Sequence, residues 1–290
     1  MGRLIEPKET IEVLKKYDFV FSKRFGQNFL IDEHVLSKII AAAEITKEDA
    51  VLEIGPGIGT MTQALSDAAG KVIAVEIDDK LLPILSDTLS GFDNVTVIHA
   101  DILETDIRAL SREYAGGRPF KVVANLPYYI TTPIIMGLLE NDLPVTSITV
   151  MVQKEVAQRM QEKPGTKDYG ALSLAVQYYA EAYLAANVPR NCFMPRPDVD
   201  SAVIRLKKRE TPAVQTRDPA LLFRLIRASF SVRRKTLLNG LKNAGDLGFS
   251  AEQLTEAVRS LGKGETVRGE TLTLQEFARL ADTLAAMRCS

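Results

Sequence analysis

The sequence predicts an α/β fold built on a mostly parallel sheet, followed by a small all-helical domain. Three observations carry this. Short apolar runs alternate with helical stretches through the first two thirds of the chain, the pattern of parallel strands joined by crossover helices. One run ends in Gly55-Pro56-Gly57-Ile58-Gly59 directly ahead of a helix, the strand–turn–helix opening of a nucleotide-binding unit. After Glu210-Thr211-Pro212 the apolar residues recur at helical spacing, so a boundary there divides the chain into domains of residues 1–210 and 211–290.

Taken in order, residues 4–18 read as a short amphipathic helix. Phe21-Ser22-Lys23-Arg24-Phe25-Gly26-Gln27-Asn28-Phe29-Leu30 then interleaves aromatic and basic groups around a glycine, either to grip a nucleic acid through Lys23 and Arg24 or as a solvated loop anchored by its phenylalanines. Asp32 caps a helix to about residue 43, with Val35, Leu36, Ile39 and Ile40 on its apolar face. Strands are predicted at 50–54, 72–76, 95–98 and 121–125, with helices from Thr60 and around 81–89 between them. Beyond, the pattern gives a helix at 133–140, a strand at 147–153, a helix from Glu155, and two closing strands at 172–183 and 202–206. The last domain reads as helices at 219–230, 233–243, 250–261 and 274–287. Ser250 with Gln253, and Thr273 with Glu276, have capping-box spacing, and Gly262 suits a helix end.

In a parallel sheet, ligands bind outside the carboxyl ends of the strands. Four successive strands bring Gly55 to Gly59, Glu76, Asp101 and Asn125 to one rim. Each acid has an ordinary use as a cap for the following helix. Glu76 is more specific, because it follows Gly55 at about the twenty-residue distance of an acid that accepts both ribose hydroxyls. Asp101, one strand on, is placed to meet the base of the same nucleoside. GxGxG replaces the dinucleotide GxGxxG, which argues against a nicotinamide enzyme. At the fourth strand end, Asn125-Leu126-Pro127-Tyr128 joins an amide, a carbonyl that proline keeps out of regular pairing, and a flat ring. That set suits an amine-bearing ring; a simple strand-end turn would also use Asn and Pro.

Composition narrows the class. At 290 residues, 46% hydrophobic and 25% charged, the chain matches an ordinary globular enzyme and excludes disorder. No apolar run reaches membrane-spanning length, and residues 1–19 mix acids with lysines, so the protein is expected in the cytoplasm. Cys192 and Cys289 are too few and too far apart for a disulfide framework or a zinc site, and His34 and His99 are isolated; no metal is expected. Net charge is −1, but it is unevenly spread. Acids dominate residues 71–110, whereas between Arg205 and Asn243 the cations, among them Arg233, Arg234 and Lys235, outnumber Glu210 and Asp218. A basic segment of this kind holds a polyanion or forms a solvated helix face.

In this order the motifs resemble the ribosomal RNA adenine N6-dimethyltransferases. The resemblance rests on Gly26-Gln27-Asn28-Phe29-Leu30, Glu53-Ile54-Gly55-Pro56-Gly57-Ile58-Gly59, Glu76, Asp101, Asn125-Leu126-Pro127-Tyr128, Phe193-Met194-Pro195-Arg196-Pro197 and Arg233-Arg234-Lys235-Thr236-Leu237, and spans nearly the whole chain. Leu126, the Phe193 loop and the Arg233–Leu237 segment are most similar to the members that act on 16S rRNA. The resemblance implies a class I methyltransferase fold, Rossmann-like, with a mostly parallel seven-stranded sheet. It implies S-adenosyl-L-methionine as cofactor, with Asn28 and Leu30 at its methionine end, Gly55 and Gly57 beneath it, Glu76 on the ribose, and Asp101 with the Ile102 amide on the adenine.

It further implies that Asn125 stands between cofactor and target, and that the Asn125 oxygen and the Leu126 carbonyl orient the amine of an adenine without deprotonating it. Pro127 holds that carbonyl, Tyr128 stacks on the extruded base through its ring alone, and Phe193, otherwise a loop anchor, closes the other face. Lys23, Arg24, Arg233, Arg234 and Lys235 are the expected RNA contacts. The expected substrate is two adjacent adenosines in the 3′-terminal hairpin of 16S rRNA, within a small-subunit precursor particle, modified by a monomer with a role in subunit maturation. Two alternatives stand beside this: a 23S rRNA adenine methyltransferase, and an assembly factor that binds RNA without turnover.

Overall fold

The computed structural model describes residues 4–232 and 235–288. The chain divides into two compact units, Met1–Ala157 with Glu181–Lys208, and Gln158–Ala180 with Arg209–Ser290. Residues 158–180, which the sequence reading assigns to the first domain, cluster with the C-terminal helices.

The first unit begins with α1 (Pro7–Lys16) and the short strand β1 (Phe29–Leu30). In α2 (Glu33–Ala43) the Asp32 carboxylate accepts from the Val35 N–H, the expected cap. The βα units follow as β2 (Ala50–Ile54), α3 (Thr60–Ala68), β3 (Lys71–Glu76), α4 (Leu82–Thr88), β4 (Val95–His99), α5 (Ile107–Ala115), β5 (Phe120–Asn125), α6 (Thr131–Glu140) and β6 (Val145–Gln153). The sequence reading passed over α5, although Asp106 caps it and Gly116 ends it in the left-handed region. Next come α7 (Lys154–Gln161), α8 (Ala171–Tyr179), β7 (Ala180–Val188), β8 (Phe193–Met194) and β9 (Ser201–Lys208).

Seven strands form one sheet in the order β4-β3-β2-β5-β6-β9-β7, and β1 pairs with β8 apart from it. The ladders β4–β3, β3–β2, β2–β5 and β5–β6 are parallel, and β6–β9 is antiparallel. All five residues of β2 are buried, as a strand covered by helices on both faces requires. At about 1.5–3 kcal/mol for each fully buried aliphatic side chain, such strands supply much of the core. Register then builds the rim: Ile54 lies level with Val75 and with Ala124, so Gly55, Glu76 and Asn125 emerge side by side. The strand order reverses between β2 and β5, and a crevice opens at such a switch point.

The second unit holds α8, α9 (Pro219–Phe230), α10 (Leu237–Asn243), α11 (Ala251–Arg259) and α12 (Leu274–Arg288). The strand expected at 172–183 is a correction: residues 171–179 are helical and only from Ala180 does the chain enter the sheet. Leu172, Leu174, Ala175, Val176 and Tyr178 are all buried, and a segment covered on every side shows no period by which strand and helix differ. Tyr178 and Tyr179 pack on Phe223 of α9 at 5.1 and 5.3 Å between ring centres. The helix expected from 233 begins at Leu237, where the Thr236 hydroxyl accepts from the Asn239 N–H. Both expected capping boxes form.

Candidate active site

A cavity open to solvent lies at the switch point. Asn28, Leu30, Gly55, Gly57, Glu76, Asp101, Ile102, Asn125, Leu126, Pro127 and Tyr128 all line it. Gly57 has φ +62°, and a Cβ there would stand 2.9 Å from the Phe29 ring, so the loop must be bare of side chain at this point. Glu76 closes the loop from below. One oxygen accepts from the Asp78 N–H at 2.9 Å and the other from the Gly57 N–H at 3.3 Å. Glu76 as a residue is 4% exposed; burial raises its pKa, while the Asp78, Gly57 and Ile77 backbone donors oppose the rise. Asp101 accepts from the Leu103 N–H at 2.9 Å.

The cavity wall at the end of β5 is set by two bonds. Asn125 donates its Nδ2–H to the Asn28 carbonyl at 2.8 Å, which leaves Oδ1 as the amide's available acceptor. The Leu126 N–H is committed to the Met151 carbonyl at 3.1 Å, and among the described residues no donor reaches the Leu126 carbonyl. Two acceptors therefore stand on consecutive residues at the cavity wall. The Tyr128 hydroxyl lies 2.8 Å from the Ser201 hydroxyl, a contact the sequence did not reveal, so the ring is held by its hydroxyl as well as by packing. Tyr128→Phe is expected to lower kcat/KM by about two- to ten-fold, the worth of one hydrogen bond of ~0.5–1.5 kcal/mol, with Ser201→Ala matching it. Steady-state kinetics check this, and a loss as deep as that of Tyr128→Ala would contradict it.

Phe193 requires a correction. It is 4% exposed and packs in the core with Leu30, Met151 and Cys192, away from the cavity lining. The β1–β8 ladder pairs it with Leu30 and turns the ring inward, so it is an anchor of that ladder. Cys192 beside it is buried and donates to the Asp32 carboxylate at 3.3 Å; Cys289 lies outside the described residues. Of the expected RNA contacts, Arg24 is exposed with its guanidinium 5.5 Å from the Phe25 ring centre, and Lys235 is exposed. The Lys23 side chain, Arg233 and Arg234 lie outside the described residues. Arg205 is held by Glu44. Among the described residues no helix is long and apolar enough to cross a membrane.

Sequence reading missed two residues of the site. Glu53 is fully buried, lines the cavity, and has no hydrogen-bonding partner on either oxygen among the described residues. Burial pushes its pKa from the ordinary 4.5 up to about 8, the nearby Thr62 hydroxyl pulling it down and the Glu76 charge adding to the rise. A carboxylate between Leu52 and Ile54 of an apolar strand was the available signal. The folded protein therefore keeps a proton that the unfolded chain releases above its ordinary pKa. Stability of the ligand-free protein falls as pH rises between those two values and levels above about 8, by up to ~5 kcal/mol at ~1.4 kcal/mol per pKa unit. Glu53→Gln is expected to remove this slope in urea unfolding across that range; parallel slopes would contradict it. The second residue is Gln27, whose Nε2–H donates to Asp78 at 2.7 Å.

Comparison with known proteins shows the family. Residues 19–282 match the family model for ribosomal RNA adenine dimethylase. A ribosomal RNA small subunit methyltransferase A from Lachnoclostridium phytofermentans is 63% identical over 285 residues, 98% of each chain. Its namesake from Clostridioides difficile is 50% identical over the same share. Among solved structures, a dimethyladenosine transferase from Plasmodium falciparum aligns with TM-score 0.71 at 28% identity, covering 87% of this chain and 95% of that one. The 23S rRNA methyltransferase ErmE aligns with TM-score 0.65 at 27% identity, covering 89% and 100%. With a rim register that gathers the motif residues and a family match over nearly its whole length, this chain belongs to the ribosomal RNA adenine dimethylase family.

Proposed function

We propose that this protein uses S-adenosyl-L-methionine to dimethylate the N6 amines of two adjacent adenosines in the 3′-terminal hairpin of 16S rRNA. It does so as a cytoplasmic monomer acting on a small-subunit precursor particle, as a step in that subunit's maturation. The observation that carries the reading is the Asn125 amide, pinned through its nitrogen to the Asn28 carbonyl, so that Oδ1 and the unpaired Leu126 carbonyl are both acceptors.

The residues fit the cofactor. Glu53, buried and unpaired in the cavity wall, suits the cationic amino-acid end of such a ligand. Glu76 retains lone pairs for two ribose hydroxyls beyond those used by Asp78 and Gly57. Asn28 and Leu30 flank the methionine end, the bare Gly55 and Gly57 backbone passes beneath, and Asp101 with Ile102 meets the adenine. S-adenosyl-L-methionine supplies an electrophilic methyl group on a sulfonium.

What the chain contributes is orientation. An adenine amine is a weak nucleophile because its lone pair is delocalised into the ring, and its N–H is too weakly acidic for a carboxylate to remove. Asn125 Oδ1 and the Leu126 carbonyl each accept one amine hydrogen and turn the lone pair out of conjugation. Tyr128 stacks on the ring, and Pro127 keeps the carbonyl clear of backbone pairing. The proton leaves only after the nitrogen has become cationic and acidic, so no general base is required. The monomethylated amine retains one hydrogen and needs one of the two acceptors, which permits the second round. Alignment of this kind is worth ~7 kcal/mol or more when near ideal. Arg24, Lys235, Arg233, Arg234 and Lys23 supply phosphate contacts, with affinity that falls as salt rises.

Relatives of 50–63% identity named for the small subunit favour 16S over 23S rRNA; the ErmE likeness lies at 27%. Primer extension across both RNAs from a deletion strain tests the choice. Loss of the modification stop in 16S rRNA supports it, and loss in 23S rRNA alone overturns it. Equal subunit maturation with wild type and an inactive Asn125→Ala chain would instead favour the assembly-factor reading.

A further inference from the structure

The segment between α1 and α2 is stitched to both halves of the cavity by two consecutive side-chain and backbone contacts. Gln27 faces one half. Its Oε1 accepts from the Ser22 N–H at 3.0 Å and its Nε2–H donates to the Asp78 carboxylate at 2.7 Å. Asp78 is 2% exposed; its other oxygen accepts from the Lys80 N–H at 3.1 Å, and its own N–H donates to Glu76 at 2.9 Å. Asn28 faces the other half. Its carbonyl receives the Asn125 amide, and its side chain donates to the Gly26 carbonyl at 3.0 Å.

A path of hydrogen bonds thus runs from Glu76 through Asp78 to Gln27, and from the adjoining Asn28 to Asn125. Each link is short in chain or short in space. Movement of the 22–28 segment that frees Gln27 from Asp78 also moves the Asn28 carbonyl that orients Asn125. Phe29 fixes the far side of the same segment, its ring meeting the glycine loop at Gly57. The Gln27–Asp78 bond is therefore placed to register the acceptor amide against the position of Glu76.

We infer that Gln27 and Asp78 are positioning residues that couple occupancy at Glu76 to presentation of the Asn125 amide, so that the nucleoside end of the cofactor and the RNA bind cooperatively. This rests on the function proposed above. It goes beyond that reading by assigning two side chains that contact neither the reacting amine nor the methyl group, and by predicting how the two ligands influence one another. Linkage makes the effect reciprocal: whatever factor the nucleoside adds to RNA affinity, RNA adds to nucleoside affinity.

The test is the affinity of the full chain for unmethylated small-subunit particles, with and without saturating S-adenosylhomocysteine. For the wild type, the nucleoside is expected to tighten particle binding about five-fold or more. Gln27→Ala, and Gln27→Glu, which sets a carboxylate against Asp78, are expected to bring that factor close to one, with KM for S-adenosyl-L-methionine raised and kcat lowered together. The double variant Gln27→Glu with Asp78→Asn reverses donor and acceptor across the same bond, keeps an acceptor for Ser22 and Lys80, and is expected to restore the factor. If Gln27→Glu does not fold, Gln27→Ala decides alone. Wild-type coupling in Gln27→Ala, a double variant that folds but restores nothing, or no coupling in the wild type would each overturn the inference. Failure of the wild type to methylate the particles at all would overturn the underlying function instead.

Discussion

Asn125→Ala is expected to lower kcat by roughly 10²- to 10⁴-fold, the range for removing a group that orients or stabilises the reacting centre, while leaving cofactor affinity within a few-fold. The substitution removes Oδ1, one of the two acceptors, and it also releases the Asn28 carbonyl from its 2.8 Å bond. Asn125 is partly exposed at the end of β5, so the fold should lose no more than the ~1 kcal/mol of an ordinary hydrogen bond. Asn125→Asp separates orientation from volume. A carboxylate at the same place has no N–H for Asn28 and sets an oxygen against that carbonyl, so the side chain is repelled from its working position. It should be nearly as inactive as the alanine variant despite retaining two acceptor oxygens. Single-turnover rates with bound cofactor check both, and full turnover in either would remove Asn125 from the mechanism.

Glu76→Gln should act on binding first. Both carboxylate oxygens are already engaged by backbone donors, from Asp78 and Gly57, and in the proposed binding mode the ribose hydroxyls take the lone pairs that remain. Glutamine has one acceptor and one donor group, so either Gly57 or Asp78 then faces another N–H inside a buried site, and one ribose contact is lost. Hydrogen bonds to charged groups contribute ~1.5–3 kcal/mol each, so loss of one ribose contact places the loss in S-adenosylhomocysteine affinity at roughly 10- to 160-fold, measurable by calorimetry. Affinity within three-fold of wild type would mean that Glu76 does not hold the nucleoside.

How far the sequence reached is clearest at the rim. The runs at 50–54, 72–76 and 121–125 were legible as parallel strands, and counting to their ends was enough to place Gly55, Glu76 and Asn125 together, because parallel register aligns strand ends. What failed had physical reasons. The helix at 171–179 is covered on every side, so its pattern carries no period. Phe193 lies in a proline-rich stretch that reads as exposed, yet a two-residue ladder with β1 turns it into the core. Gln27 and Tyr128 depend on partners, Asp78 and Ser201, that are distant in the chain and close only after folding. Glu53 was visible as a lone carboxylate in an apolar strand; its importance lies in being unpaired, which only the fold exposes.

If this site aligns an adenine amine of small-subunit RNA, the product is fixed in both atom and position. The most direct measurement is mass mapping of methylated nucleosides after wild-type protein is incubated with isotope-labelled S-adenosyl-L-methionine and both ribosomal subunits from a strain lacking the enzyme. The expected product is N6,N6-dimethyladenosine carrying two labelled methyl groups at two neighbouring positions near the 3′ end of 16S rRNA, and none with Asn125→Ala. Label confined to 23S rRNA, or carried on any atom other than adenine N6, would contradict it.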